Sequence, residues 1–129
     1  MREDRGQATL CVVLALAIAA AAVTGLRGAQ DRMVLGARAQ RAGEAAVEAA
    51  AQSVADLYAA HPAAARELVL DPRVVETARA AAEELARENG DRGVERVELM
   101  CVGKRIETRL VLSGYSHHAG FNAPECSPH

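Results

Sequence analysis

The hydrophobic pattern changes character several times along the chain, and each change marks an element. Residues 8–26 form an apolar run without a single charge, its only polar side chains being Thr9, Cys11 and Thr24. At about 19 residues it is close to the roughly 20 that span a bilayer's hydrocarbon core as a helix. Behind it, residues 27–60 are rich in Ala, Glu, Gln and Arg, all good helix formers, with no strong breaker before His61-Pro62. Leu26, Met33, Gln40, Val47 and Val54 recur every seven residues. Three positions on, Ala29, Gly36, Gly43, Ala50 and Leu57 form a second rail. The two rails make an a/d-type seam whose second rail is mostly small, so that another helix can approach closely. The same pattern fits a helix packed on its own domain. Glycine costs a helix about 1 kcal/mol relative to alanine, so Gly25 and Gly28 mark the expected place for a bend or local unwinding.

Pro62 ends the long helix, because the residue before a proline is pushed out of the helical region. Residues 63–70 have room for one short helix. Asp71-Pro72 is then a start signal, an N-cap acceptor followed by proline at the first helical position. Val74, Val75, Ala78, Ala81, Ala82 and Leu85 follow at helical spacing, and Asn89-Gly90 stops the helix, predicted over Pro72–Glu88. The period next drops to two. Val97, Leu99 and Cys101 alternate with Arg96, Glu98 and Met100, and Ile106, Thr108, Leu110 and Leu112 with Arg105, Glu107, Arg109 and Val111. With a glycine turn at 102–104, the expectation is a β-hairpin laid on the helices. Residues 114–129, with Gly120, Pro124 and Pro128, read as an irregular tail. The expected fold class is therefore α+β. It comprises a charged leader (1–7), a transmembrane segment (8–26), an extended helical stalk (27–61), a small cap of helix then hairpin (62–113) and the tail (114–129).

Composition narrows the chemistry. The net charge is −2 and aromatic residues make up 2 %, with no tryptophan. That leaves no basic, aromatic-rich footprint for nucleic acid. Alanine supplies most of the apolar content and buries little area per residue, so the expected core is modest and no small-molecule substrate cleft or cofactor is expected. His117-His118 with Cys126 and His129 is the one cluster of metal-capable side chains, and its spacing does not match the paired ligands of structural zinc, so no metal is expected. Ser113, Ser116 and Ser127 lack a nucleophile-elbow context. Glu44 and Glu48 stand four apart, where like charges repel mildly, and fit a solvated helix face. No catalytic constellation stands out, and the chain reads as non-enzymatic. Cys11 fits a small buried hydrophobe in the apolar run. Cys101 and Cys126 either form one disulfide, in an oxidising compartment, or stand as independent thiols.

The junction Arg5-Gly6-Gln7-Ala8-Thr9, leading into an apolar helix, resembles the N-terminus of TadE-like pseudopilins, minor components of the tight-adherence (Flp, type IVb) pilus system. The Ala/Arg/Gln-rich stretch around residues 40–51 is similar in texture to the helical segment beyond the membrane helix in that family. The resemblance covers about the first half of the chain. It implies a prepilin peptidase cut between Gly6 and Gln7, and a helix retained as an anchor in the cytoplasmic membrane. It also implies an extracytoplasmic C-terminal domain, with other pilin-like or Tad-machinery proteins as partners. Pilins of this type carry Glu five residues after the cleaved glycine. Here that position is Cys11, which implies a tip or initiating subunit, or a protein that stays out of the filament or escapes processing. Arg2 and Arg5 precede the run while Arg27, Arg32, Arg38 and Arg41 follow it, so positive charge alone favours neither orientation. Two other readings stay open. One is an unrelated single-pass accessory protein, and the other a secreted helical protein released by ordinary signal peptidase near residues 20–22.

Overall fold

The computed structural model describes residues 3–91 and 93–127 of the chain; Met1, Arg2 and His129 lie outside them. Helix α1 (Glu3–Ala60) is followed by a 3-10 turn (Pro62–Ala64) and helices α2 (Ala65–Leu70) and α3 (Pro72–Glu88). Strands β1 (Val94–Val102), β2 (Arg105–Leu112) and β3 (Tyr115–Asn122) come next, and a second 3-10 turn (Pro124–Cys126) closes the described chain. The class is α+β, as the sequence pattern implies. The expected local unwinding does not occur: α1 stays helical through Gly25 and Gly28. Isolated glycines cost too little to interrupt a ladder that continues on both sides of them.

The chain divides into two compact units, Met1–Gly36 and Ala37–His129. In the first unit the described side chains of the apolar run are exposed, Leu10, Leu14, Ile18 and Leu26 among them. The second unit is a helical layer packed on one face of an antiparallel sheet ordered β1-β2-β3. The expected boundary between stalk and cap at residue 61 therefore moves, because the last turns of α1 belong to the core of the cap.

The expected irregular tail is also corrected. Residues 115–122 form β3, paired with β2 from Arg105↔Asn122 to Leu112↔Tyr115. The turn joining them places Ser113 at φ 48° and Gly114 at φ 80°. Two successive positive φ values are the requirement of a two-residue turn whose twist matches a hairpin. Alternation was present in the sequence, with Tyr115, His117, Ala119 and Phe121 against Ser116, His118, Gly120 and Asn122, but small and polar residues diluted its contrast.

The sheet places Val97, Leu99, Cys101, Ile106, Thr108, Leu110, Leu112, His117, Ala119 and Phe121 on one face by its register. Opposite that face the helices present small side chains at helical spacing. Ala42, Ala46, Val47, Ala50 and Val54 come from α1, and Val74, Ala78, Ala82 and Ala86 from α3, all of them buried. The bulk is on the sheet, where Ile106, Leu110 and Leu112 are among the largest fully buried side chains. Alanine faces let the helix backbones come close, and the long strand residues fill the space between.

Local chemistry fixes the element ends. The Asp71 carboxylate accepts a 2.8 Å hydrogen bond from the Arg73 backbone N–H ahead of Pro72, capping α3. At its other end the Asp91 N–H donates to the Ala86 carbonyl at 2.8 Å, with Gly90 at φ 82°. Asp91 then accepts from the Gly93 N–H and the Ser113 hydroxyl, which joins the α3–β1 connection to the β2–β3 turn.

Among the helical glycines at 25, 28, 36 and 43, only Gly43 lies close against another element. A Cβ added there would lie 2.0 Å from His117 Nε2 and 2.3 Å from Cε1, whereas one added at Gly36 meets nothing within 4 Å. The two glycines should therefore respond with opposite sign. Gly43→Ala should destabilise the cap by about 1–3 kcal/mol in denaturant unfolding followed by circular dichroism. Gly36→Ala should leave the cap unchanged or raise its stability, since only the helix-propensity gain of about 1 kcal/mol remains. Combining Gly43→Ala with His117→Ala should recover part of the loss, and strictly additive effects would mean that the two residues are not in contact.

Candidate functional site: a divided helix seam and a pinned C-terminal segment

The seam read from the sequence is divided by the fold. Leu26 and Met33 are 61 % and 73 % exposed, and Gly36 is exposed with them. Gly43, Val47, Ala50 and Val54 are buried inside the cap. Of the two uses the sequence leaves open for this seam, its second half takes packing inside the chain's own cap. Sequence spacing alone does not distinguish these uses, since a small-residue face suits a sheet as well as another helix. Gly6 and Gln7, the junction picked out by resemblance, lie within the first turns of α1, and the Gln7 side chain is exposed. Cys11 is an exposed free thiol on the same helix.

The histidine cluster is taken apart by β3. His117 points to the helix layer and is 5 % exposed, while its neighbour His118 is exposed on the opposite face. Cys126 is not available as a thiol, because it is bonded to Cys101. No group of three or more His, Cys, Asp or Glu side chains set to hold a metal occurs among the described residues. His117 Nε2 and Thr108 Oγ1 are buried without a hydrogen-bond partner. Both belong to the interface between helices and sheet, where the His117 ring lies over Gly43.

Among the described residues, four contacts hold the C-terminal segment. The Cys101–Cys126 disulfide, with Cα atoms 5.3 Å apart, ties it to β1 across 25 positions of sequence. Arg66 of α2 donates to the Cys126 carbonyl from Nε at 3.3 Å and from Nη2 at 3.2 Å. The Ala123 N–H donates to the Lys104 carbonyl at 2.8 Å, extending the β2–β3 ladder by one residue. The Tyr58 hydroxyl, on the last turn of α1, donates to the Glu125 carboxylate, and the Tyr58 ring lies 5.6 Å from that of Phe121. This hydrogen bond holds the Glu125 carboxyl below its usual range and pushes the Tyr58 phenol above its own. Spacing left the disulfide open; the phenol–carboxylate pair, 67 positions apart, carried no sequence signal at all.

The surface carries shallow grooves. One of about 470 Å³ lies between α2 and β1, lined by Arg66, Val69, Leu70, Leu99 and Met100. Its one charged side chain is already engaged by the Cys126 carbonyl. Another, of about 190 Å³, runs between α1 and β3, lined by Glu48, Ala51, Gln52, Ala55, Ala119, Gly120 and Phe121. Neither collects an acid, a base and a nucleophile. The arrangement can offer apolar helix surface, a strand edge and a tethered terminus.

Two outcomes test this reading of the C-terminal segment. Replacing Cys101 and Cys126 together by serine should lower unfolding free energy by about 3.5 kcal/mol, the chain-entropy value for a loop of this length. Added reductant should reproduce the effect in the parent chain and have none in the double variant. The Tyr58–Glu125 bond contributes above the ordinary carboxylate pKa and is lost as pH falls through the lowered value of Glu125. At the alkaline end it is lost as pH rises through the raised value of Tyr58. In an NMR titration Glu125 should titrate below the usual carboxylate range, and Tyr58→Phe should raise it.

No protein-family model, curated protein or solved structure matches this chain.

Proposed function

We propose that the chain is a non-catalytic, membrane-anchored, pilin-like subunit or assembly factor of the TadE-like kind, acting by helix packing and through surfaces of its cap. The observation that carries the reading is the exposure of the large apolar side chains at the front of α1, from Leu10 through Leu26 and on to Leu35. Soluble monomers rarely expose contiguous apolar surface on this scale. A bilayer, and afterwards the helices of neighbouring subunits, are solvents that such a surface fits. The junction Arg5-Gly6-Gln7 adds a processing site just ahead of the run. In this reading a prepilin peptidase is the processing partner, other pilin-like or Tad-machinery proteins are the assembly partners, and the cap stands outside the cytoplasmic membrane. Cys11, where a filament-forming pilin carries Glu, favours an initiating or assembly role.

One observation favours a second reading, secretion after ordinary signal cleavage. Among the described residues the first fully buried one is Ala42, so removing residues 1–22 takes away none of the described core side chains. Mass spectrometry of the mature N-terminus, on protein recovered from the cell envelope and from the medium, separates the readings. A chain in the envelope beginning at Gln7 is the expected result. A chain in the medium beginning near Val23 overturns the anchored reading, and intact Met1 in the envelope leaves a plain anchor in place of a pilin-like subunit.

A further inference from the structure

The two edges of the sheet differ in how they are protected. Strand β1 carries a register shift between Val94 and Arg96, and Glu95, Arg96 and Glu98 stand along it. Bulges and charges of this kind keep an edge from pairing with another chain. Strand β3, the other edge, has neither. Its ladder with β2 is regular over eight residues, and Tyr-Ser-His-His-Ala-Gly-Phe-Asn contains no Asp, Glu, Lys, Arg or Pro. Its backbone groups are also correctly turned. The hydrogen bond from Ala123 N–H to the Lys104 carbonyl marks a bonded pair, and bonded and non-bonded pairs alternate along an antiparallel ladder. Ser116, His118 and Gly120 therefore turn their N–H and C=O groups to the open side. The Gly120 carbonyl there is covered by the Arg105 guanidinium, which donates to it at 2.9 Å.

We propose that the β3 edge pairs with the β3 edge of a second copy of this chain, antiparallel and two-fold symmetric about His118, with Tyr115 of each copy filling the groove between α1 and β3 of the other. Charge selects this occupant: β3 meets itself without opposing two formal charges. Register selects the geometry. Centring on His118 places His118 opposite itself and Ser116 opposite Gly120, the residues whose backbone groups face the open side. Tyr115 then stands opposite Phe121, on the helix side of the sheet, in a non-bonded pair where side chains approach most closely. Tyr115 is 56 % exposed in the single chain, a large aromatic with little of its own to cover it. The groove beside Phe121 is walled by Ala51, Ala55, Ala119 and Gly120, all small, with Glu48 and Gln52 at its rim as hydrogen-bond partners for a phenol. Arg105 releases the Gly120 carbonyl as the strands pair. Seven paired residues and two tyrosines bury less than about 1,200 Å² in total, which makes the dimer weak and reversible. The inference stands apart from the membrane reading, since every residue it uses belongs to the cap.

The test uses the full chain in detergent, with Cys11→Ala to remove the free thiol. His118→Cys should give a covalent dimer with a short thiol-specific crosslinker, because position 118 faces itself. Asn122→Cys, at the end of the strand, and Arg96→Cys, on β1, should not. In sedimentation equilibrium without crosslinker, Tyr115→Ala should weaken the dimer about tenfold per tyrosine, roughly a hundredfold in all, while the melting of the cap stays unchanged. Absence of a His118→Cys adduct overturns the proposal, as does equal crosslinking from position 96 or 122. A dissociation constant unmoved by Tyr115→Ala removes the groove from it.

Discussion

The cap depends on how closely α1 can approach the sheet. Ala42, Ala46 and Ala50 share one buried core with Ile106, Leu110 and Leu112, and Gly43 meets the His117 ring directly. In a domain this small, with so few aromatic residues, there is little apolar area to bury, and stability has to come from packing density. α3 repeats the device with Ala78, Ala82 and Ala86. A methyl added at Gly43 would have to displace the buried His117 ring.

That constraint gives one helix two environments. Up to Leu35 the described large apolar side chains of α1 face outward, and from Ala42 the buried stripe faces the sheet. A seven-residue repeat runs through both parts with the same chemistry. Small residues serve the second part by admitting a sheet, and in the first they leave a surface open to lipid or to other helices. The packing of each part is settled by what lies beside it and not by its own sequence.

This is also why the fold was more legible than the surface. α3 could be read residue by residue, because Asp71-Pro72 and Asn89-Gly90 are local signals that act on the backbone where they stand. The first hairpin was legible for a related reason, a strict alternation of apolar and charged residues about a glycine turn. β3 was missed because its inward side chains, Tyr115, His117, Ala119 and Phe121, differ too little in polarity from Ser116, His118 and Gly120 to show a period. The divided seam, the His117–Gly43 contact and the Tyr58–Glu125 bond join positions far apart in sequence, and no local pattern encodes them. Cys101 and Cys126 lay between these cases: the residue types raised the possibility of a bridge, and only the ladder brings them together.

The bridge also decides how the cap bears a load. Peeling β3 away from its C-terminal end, the easiest way to open an antiparallel ladder, would break its hydrogen bonds one at a time. Tension applied to the tail does not reach that end, because Cys126 passes it to Cys101 in β1, at the far side of the sheet. The load crosses the sheet through a covalent link before any strand can unzip. A pull on the C-terminus thus bypasses the loop that holds β2 and β3, and the cap behaves as a rivet, not as a zipper.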